Sequence, residues 1–309
     1  MKVLITGVGG FIGSNLAAAH LAQGHQVVGI DNFSTGNREN LKGLEGLELI
    51  EGGVSESLAK VSFDVNIAYH FASPASPEKY MELAMNTMEV NTGGTLSMLQ
   101  FCRRTGARLV FASTSEIYGD PLVSPQTEEY WGNVNPIGPR SVYDEAKRFG
   151  ETVVAHFQRE EEINAGIVRI FNTYGPNMDP FDGRVVSTFI RQALKGEAFT
   201  IFGDGSQTRS FCYIDDLVRG IMAMGQSNHP GPINLGDPRE NTLLELAKMV
   251  TEIVGGSGEI QFLDLPEDDP KKRNPEITKA RSILGWEPTV SLEDGIQKTA
   301  TWMAKNLSG

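Results

Sequence analysis
The sequence predicts an α/β fold built on a doubly wound parallel sheet, with a smaller α/β domain towards the C-terminus. Two observations predict it. Short β-branched or apolar runs (Val3 to Thr6, Gln26 to Ile30, Val65 to Phe71, Arg108 to Ala112 and Gly166 to Phe171) alternate with longer segments of helical period, the pattern of βαβ units. The chain, at 309 residues with 40% of them hydrophobic and 21% charged, is long enough to bury a large core.

Taken in order, the first strand feeds a glycine-rich turn, and a helix is expected from Phe11 with Leu16, Ala19 and His20 facing inward. Stretches of helical period from Leu83 to Arg104 and from Tyr143 to Glu161 read as crossover helices. Beyond Tyr174-Gly175-Pro176 the texture changes to loops, short strands and helices, with Gly203-Asp204-Gly205-Ser206 as a turn. Residues 1–175 are therefore assigned to a first domain and residues 176–309 mainly to a second. The segment 209–240 is expected to return to the first domain, with Ile233-Asn234-Leu235 as its strand.

Composition narrows the function classes. A formal charge of −12 argues against a nucleic-acid binder, while leaving room for a phosphorylated small ligand held by a few local arginines. No stretch approaches the roughly 18 uninterrupted apolar residues of a membrane span, so no membrane partner is expected. Cys102 and Cys212 form no metal-ligand or redox spacing, and the expected location is a reduced cytoplasm.

Gly7-Val8-Gly9-Gly10-Phe11-Ile12-Gly13 follows the first strand and opens a helix, the context a dinucleotide fingerprint requires. Gly7 permits a tight turn, Gly10 lets backbone amides approach a pyrophosphate, and Gly13 allows close helix packing, while the helix N-terminus supplies positive potential. Asp31 ends the second strand, where a carboxylate accepts hydrogen bonds from ribose hydroxyls and repels a 2′-phosphate. The expected cofactor is NAD and the fold is of Rossmann type. Arg38, further along the loop, reads equally as a solvated charge or a ligand contact.

Tyr143-Asp144-Glu145-Ala146-Lys147 puts a phenol and an ammonium one helical turn apart on a shared face. With Thr114 ending a preceding strand, the pair suggests a tyrosine of lowered pKa acting as base, the lysine lowering it by charge and also holding the nicotinamide ribose.

These residues, in this order, resemble the extended short-chain dehydrogenase/reductase family of sugar-nucleotide epimerases, dehydratases and decarboxylases. The resemblance spans essentially the whole chain. It rests on the glycine pattern, Phe71-Ala72-Ser73-Pro74, Ser113-Thr114-Ser115-Glu116-Ile117-Tyr118-Gly119, the Tyr143/Lys147 pair and Arg169-Ile170-Phe171-Asn172-Thr173-Tyr174-Gly175-Pro176. Four further segments are similar to the branch that decarboxylates UDP-glucuronate: Ser73-Pro74-Ala75-Ser76-Pro77, Tyr130 to Arg140, Asp182-Gly183-Arg184-Val185-Val186-Ser187 and Asp268 to Pro275. Thr114-Ser115-Glu116 stands where 4,6-dehydratases carry Thr-Asp-Glu, and serine is a poor acid for expelling water.

The resemblance implies a homodimer paired through a four-helix bundle, a UDP-sugar substrate and no metal. It implies catalytic roles for Thr114, Glu116, Tyr143, Lys147 and Arg273. Cofactor contacts would fall to Gly7, Gly10, Phe11, Ile12, Gly13, Asp31, Asn32, Ser34, Thr35, Gly36, Ser113, Tyr143 and Lys147. Substrate contacts would fall to Tyr80, Asn172, Arg184, Val185 and Arg209. The implied reaction oxidises the sugar at carbon 4, loses carbon dioxide from the resulting β-keto acid and returns the hydride. UDP-glucuronate 4-epimerisation and a non-catalytic NAD-binding role are the alternatives. Two positions depart from the family pattern. Gly53 stands where an aspartate before Val54 usually accepts a hydrogen bond from adenine, and Glu89 stands where a lysine near the substrate is common.

Overall fold
The computed structural model describes residues 1–61, 64–264 and 272–307, so positions 268–271 of one motif quoted above lie outside the described residues. Six strands build most of the central sheet: β1 (Lys2–Thr6), β2 (Gln26–Asp31), β3 (Leu47–Glu51), β4 (Ile67–His70), β5 (Arg108–Thr114) and β6 (Ala165–Ile170). The short strand Ile233–Leu235 completes it beside β6, as its sequence suggested. The order from that strand inward is β6, β5, β4, β1, β2, β3, and every pairing is parallel. The order reverses between β1 and β4, and a crevice outside the carboxyl ends at such a switch point is where open α/β sheets bind ligands.

Alternation along each strand sends side chains to two cores. Val3, Ile5, Tyr69 and Val110 pack on one face of the sheet with Leu16 and Ala17 of α1 (Phe11–Ala22). Leu4, Ala68, Leu109 and Phe111 pack on the other, with Met98, Leu99 and Cys102. β3 escaped the sequence reading for a physical reason: it is an edge strand whose residues, Leu-Glu-Leu-Ile-Glu, are all at least partly exposed, so they carry no buried run.

After α2 (Val54–Ser57) and α3 (Pro77–Glu82), the long helix expected over 83–104 is present as α4 (Ala84–Glu89) and α5 (Thr95–Thr105), joined by one wide π-helical turn at Val90–Gly94. That turn leaves the Val90 carbonyl facing His70 Nε2 at 3.3 Å, and buried Asn91 donates to Ser73 Oγ and to the Thr87 carbonyl, each at 2.8 Å. The second expected crossover is α6 (Ser141–Glu160), whose first turns stand over the end of β5. Among the described later residues, Val185–Lys195, Ile214–Gln226, Leu243–Val254, Thr278–Leu284 and Leu292–Leu307 are helices, with three small two-stranded sheets beside them. No helix among the described residues is long and apolar enough to cross a membrane.

Candidate active site
The turn after β1 is shaped for glycine. Gly7 has φ +73°, and a Cβ there would meet the Ala72 backbone at 2.8 Å; a Cβ on Gly13 would lie 2.0 Å from the Gly7 carbonyl oxygen. Around this turn runs a groove lined by Gly7, Gly10, Asp31, Asn32, Ser34, Thr35 and Gly36, the expected cofactor residues of the first strands. Asp31 does more than face the groove. Its Oδ2 accepts from the Gly9 amide at 2.8 Å and its Oδ1 from the Phe33 amide at 2.7 Å, so one carboxylate braces the loops on both sides. Burial pushes its pKa up, against those two amide bonds. Arg38, exposed, pairs with Glu51 at 2.6 Å and lies over the Phe33 ring. Glu89 lines this groove beside Asn86, and it does not line the chamber that holds Tyr143.

The groove opens into a chamber of about 1110 Å³ lined by Phe11, Ile12, Gly13, Ser113, Thr114, Glu116, Arg140, Tyr143, Lys147, Asn172, Arg184, Val185, Arg209 and Arg273 among others. That volume lies at the upper end of the range for small-molecule sites. The spaces shaped by Gly7 and Gly13, and the continuity of groove and chamber, fit a dinucleotide laid across the end of the sheet.

β5 and α6 supply the centre. Thr114 ends β5 and accepts a hydrogen bond from the Glu116 amide at 3.2 Å, while its hydroxyl lies beside the Tyr143 phenol and favours the phenolate. Lys147, one turn along α6, donates to the Ala112 carbonyl at 2.8 Å and sits 5.7 Å from the centroid of the Tyr143 ring. Here the sequence reading is corrected. Burial, then the nearby Glu116 carboxylate, push the Tyr143 phenol above its ordinary value, and burial alone pushes Lys147 down to about 7. A charge is costly on either group in so dry a place, so Lys147 does not hold Tyr143 as a low-pKa phenol in the free chain.

Tyr80 is the other correction. It was expected against the sugar, but it is fully buried behind the chamber wall, its ring stacked on Tyr143 at 4.9 Å and within 4° of parallel. Apolar packing on Tyr143 therefore wins over exposure to a ligand.

Glu116 is gripped from two directions. Arg273 makes a two-pronged pair, Nη1 to Oε1 and Nη2 to Oε2 at 2.6 Å each, and Arg140 Nη2 reaches Oε2 at 3.0 Å. Burial alone would raise this carboxyl, but Arg273 and Arg140 overcome it and hold the pKa below the usual carboxylate range. Arg273 arrives from 157 residues away because its neighbour Asn274 is stapled to Gln126: the Asn274 amide donates to Gln126 Oε1, and the Gln126 amide to the Asn274 carbonyl, both at 2.8 Å. Arg140 and Asp144 were given no role from sequence. Burial and then Glu116 push Asp144 up to about 7. The one signal for both was their position at the first turn of the helix that carries Tyr143.

Of the remaining expected substrate residues, Arg184 precedes the helix Val185–Lys195 and its Nε donates to Asp182 Oδ2 at 2.6 Å. Asn172 and Arg209 face the same chamber from segments following the sheet. Ser113 donates to Glu151 Oε1 at 2.5 Å. No group of three His, Cys, Asp or Glu side chains suited to a metal ion occurs among the described residues.

Residues 3–236 match the NAD dependent epimerase/dehydratase family. The chain belongs to that family. Within it, UDP-glucuronic acid decarboxylase 1 of Xenopus tropicalis is 50% identical over 309 residues, 99% of this chain and 73% of the relative. UDP-glucuronic acid decarboxylase 6 of Arabidopsis thaliana is 49% identical over 300 residues, 96% of this chain and 87% of the relative. Among solved structures, UDP-glucose 4-epimerase of Thermotoga maritima with UDP-glucose superposes with a TM-score of 0.92 at 31% identity, covering 99% of this chain and 100% of that one. UDP-glucuronic acid 4-epimerase of Bacillus cereus, in complex with UDP-glucuronic acid and NAD, superposes with a TM-score of 0.89 at 31% identity over 99% of this chain and all of that one. The cofactor of this epimerase/dehydratase family member is accordingly NAD, and its fold is the Rossmann type that the sequence predicts.

Proposed function
We propose that the protein converts UDP-glucuronate to UDP-xylose and carbon dioxide, with NAD restored in every turnover. The observation that carries this reading is the clamp of Arg273 and Arg140 on Glu116, facing the same chamber as Thr114 and Tyr143. The guanidiniums of Arg273 and Arg140 face the chamber there, and guanidinium geometry suits a second carboxylate, that of a uronic acid. The decarboxylases at 49–50% identity support the same substrate.

What bound NAD supplies to the chamber is a hydride acceptor and, in its oxidised form, a positive charge, which favours the phenolate. Tyr143 takes the proton of the sugar 4-hydroxyl, and the hydroxyl of Thr114 stabilises the oxyanion that develops. Lys147 holds the nicotinamide ribose and stabilises that charge. Oxidation leaves the carboxylate β to a ketone, so carbon dioxide departs with its bonding electrons taken up by the ketone as an enolate. Arg273, with Glu116 behind it, orients the carboxylate; the enolate then takes up at carbon 5 a proton that comes from solvent, a step Glu116 and Arg273 guide, and Tyr143 returns its own proton as the 4-hydroxyl is re-formed. Asn172, Arg184, Val185 and Arg209 bind the uridine diphosphate. Residues 1–175, with the strand Ile233–Leu235, form the NAD-binding part and residues 176–309 mainly the substrate-binding part.

Purified protein given UDP-glucuronate and catalytic NAD should release one carbon dioxide per sugar, with UDP-xylose identified by NMR. UDP-galacturonate without gas would establish the second reading, a 4-epimerase, which the superposition on the Bacillus cereus enzyme favours. The working unit in this proposal is a homodimer paired through α4, α5 and α6, supported by Met85 of α4 at 73% exposure and by exposed Phe149 of α6. Sedimentation at the dimer mass is expected, and a monomer at micromolar concentration would refute it. Two unpaired, buried cysteines support a reducing, cytoplasmic location.

A further inference from the structure
We infer that Glu56, on α2, reads the exocyclic amine of the adenine base and so replaces the side chain that Gly53 lacks. The inference rests on the NAD-binding reading and adds to it a base-selecting residue. The groove gives the order of groups along a dinucleotide. It begins at the turn after β1, where Gly7 and Gly10 suit a pyrophosphate, passes Asp31 at the end of β2, where a ribose belongs, and ends at Gly52, Gly53, Val54, Ser55 and Glu56 after β3. Strands β1, β2 and β3 are neighbours in that sequence across the sheet, so the base falls at the last of these stations.

Glu56 folds back across the mouth of its own short helix. Its Oε1 accepts from the Gly53 amide at 2.8 Å, and a Cβ built on Gly53 would lie 3.4 Å from that oxygen and 3.5 Å from the carboxylate carbon. The carboxylate thus lies in van der Waals contact with the point from which a side chain at position 53 would start, and presents its oxygens to the same end of the groove. Oε2 makes no hydrogen bond among the described residues, and Glu56 lines the groove. A carboxylate oxygen so placed can accept from an amine and repels a carbonyl. Adenine carries an amine at its sixth position, and hypoxanthine carries a carbonyl there.

The test is affinity for two dinucleotides, NAD and its deamino form bearing hypoxanthine, measured by calorimetry on the full chain freed of bound nucleotide. The wild-type chain should prefer NAD by about tenfold or more, the worth of one charge-assisted hydrogen bond. In Glu56→Gln the amide oxygen can keep the bond to Gly53 while its NH2 group faces the base, so the preference should invert towards the deamino form. Glu56→Ala should abolish the preference, and Gly53→Asp added to Glu56→Ala should restore it. Unchanged preference in both single variants, or equal loss of affinity for both dinucleotides, would overturn the inference and leave Glu56 a helix cap while NAD binding stands. Failure of the wild-type chain to bind either dinucleotide would overturn the NAD-binding reading together with it.

Discussion
In the proposed reaction the Tyr143 oxygen loses and regains a proton, in a place where burial disfavours its charged form. Tyr143→Phe should therefore keep NAD affinity and lose turnover by about 10²–10⁴-fold, read as carbon dioxide release. Lys147 carries the complementary cost. Its folded pKa, about 7, lies below the ordinary 10.5, so between those values the unfolded chain binds the extra proton and stability rises with pH. Below about 7 the penalty for charging the buried amine is present in full. Lys147→Met should accordingly melt a few degrees higher than wild type at pH 6–7, with the gap closing towards pH 10, and it should be inactive; a pH-independent difference would refute the assignment. That Thr114 ends a strand and that Tyr143 and Lys147 share a helical face were legible in the sequence, because strand end and helical turn are local geometry. The direction of their pKa shifts was not, because burial comes from the whole fold.

At the level of elements, the tight join of β1 to α1 depends on the absence of a side chain. Gly13→Ala puts a methyl 2.0 Å from the Gly7 carbonyl oxygen, which must move the turn or the helix. The expected cost is about 1–3 kcal/mol of stability, seen in chemical unfolding, with at least a tenfold loss of NAD affinity by titration. The helix over 83–104 was legible as one element, since its apolar period persists. The π-helical turn at Val90–Gly94 was not, because it is shaped by tertiary partners: Asn91 reaches Ser73, and the Val90 carbonyl faces His70. β3 stayed hidden for the opposite reason, its side chains at the sheet edge being too exposed to show a pattern.

Across the whole molecule, the clamp on Glu116 depends on a staple between distant segments. Gln126→Ala removes the acceptor for the Asn274 amide and should loosen Arg273. Turnover should fall about tenfold with NAD affinity unchanged, because the glycine turn and Asp31 are untouched; equal loss of both would refute this division of labour. The sequence by itself determined the parallel α/β class and the glycine turn, and placed a carboxylate, Asp31, at the end of β2 and a Tyr143/Lys147 pair one turn apart, because each is written in residues close together along the chain. Resemblance to a family carried Arg273 and Glu116 into the same site. Only the tertiary structure decided that Arg140 completes the grip, that Tyr80 backs Tyr143 instead of facing the chamber, and that Glu56 fills the space beside Gly53. Those contacts depend on how helices, strand ends and a distant staple pack, and packing has no period along the chain by which to read it.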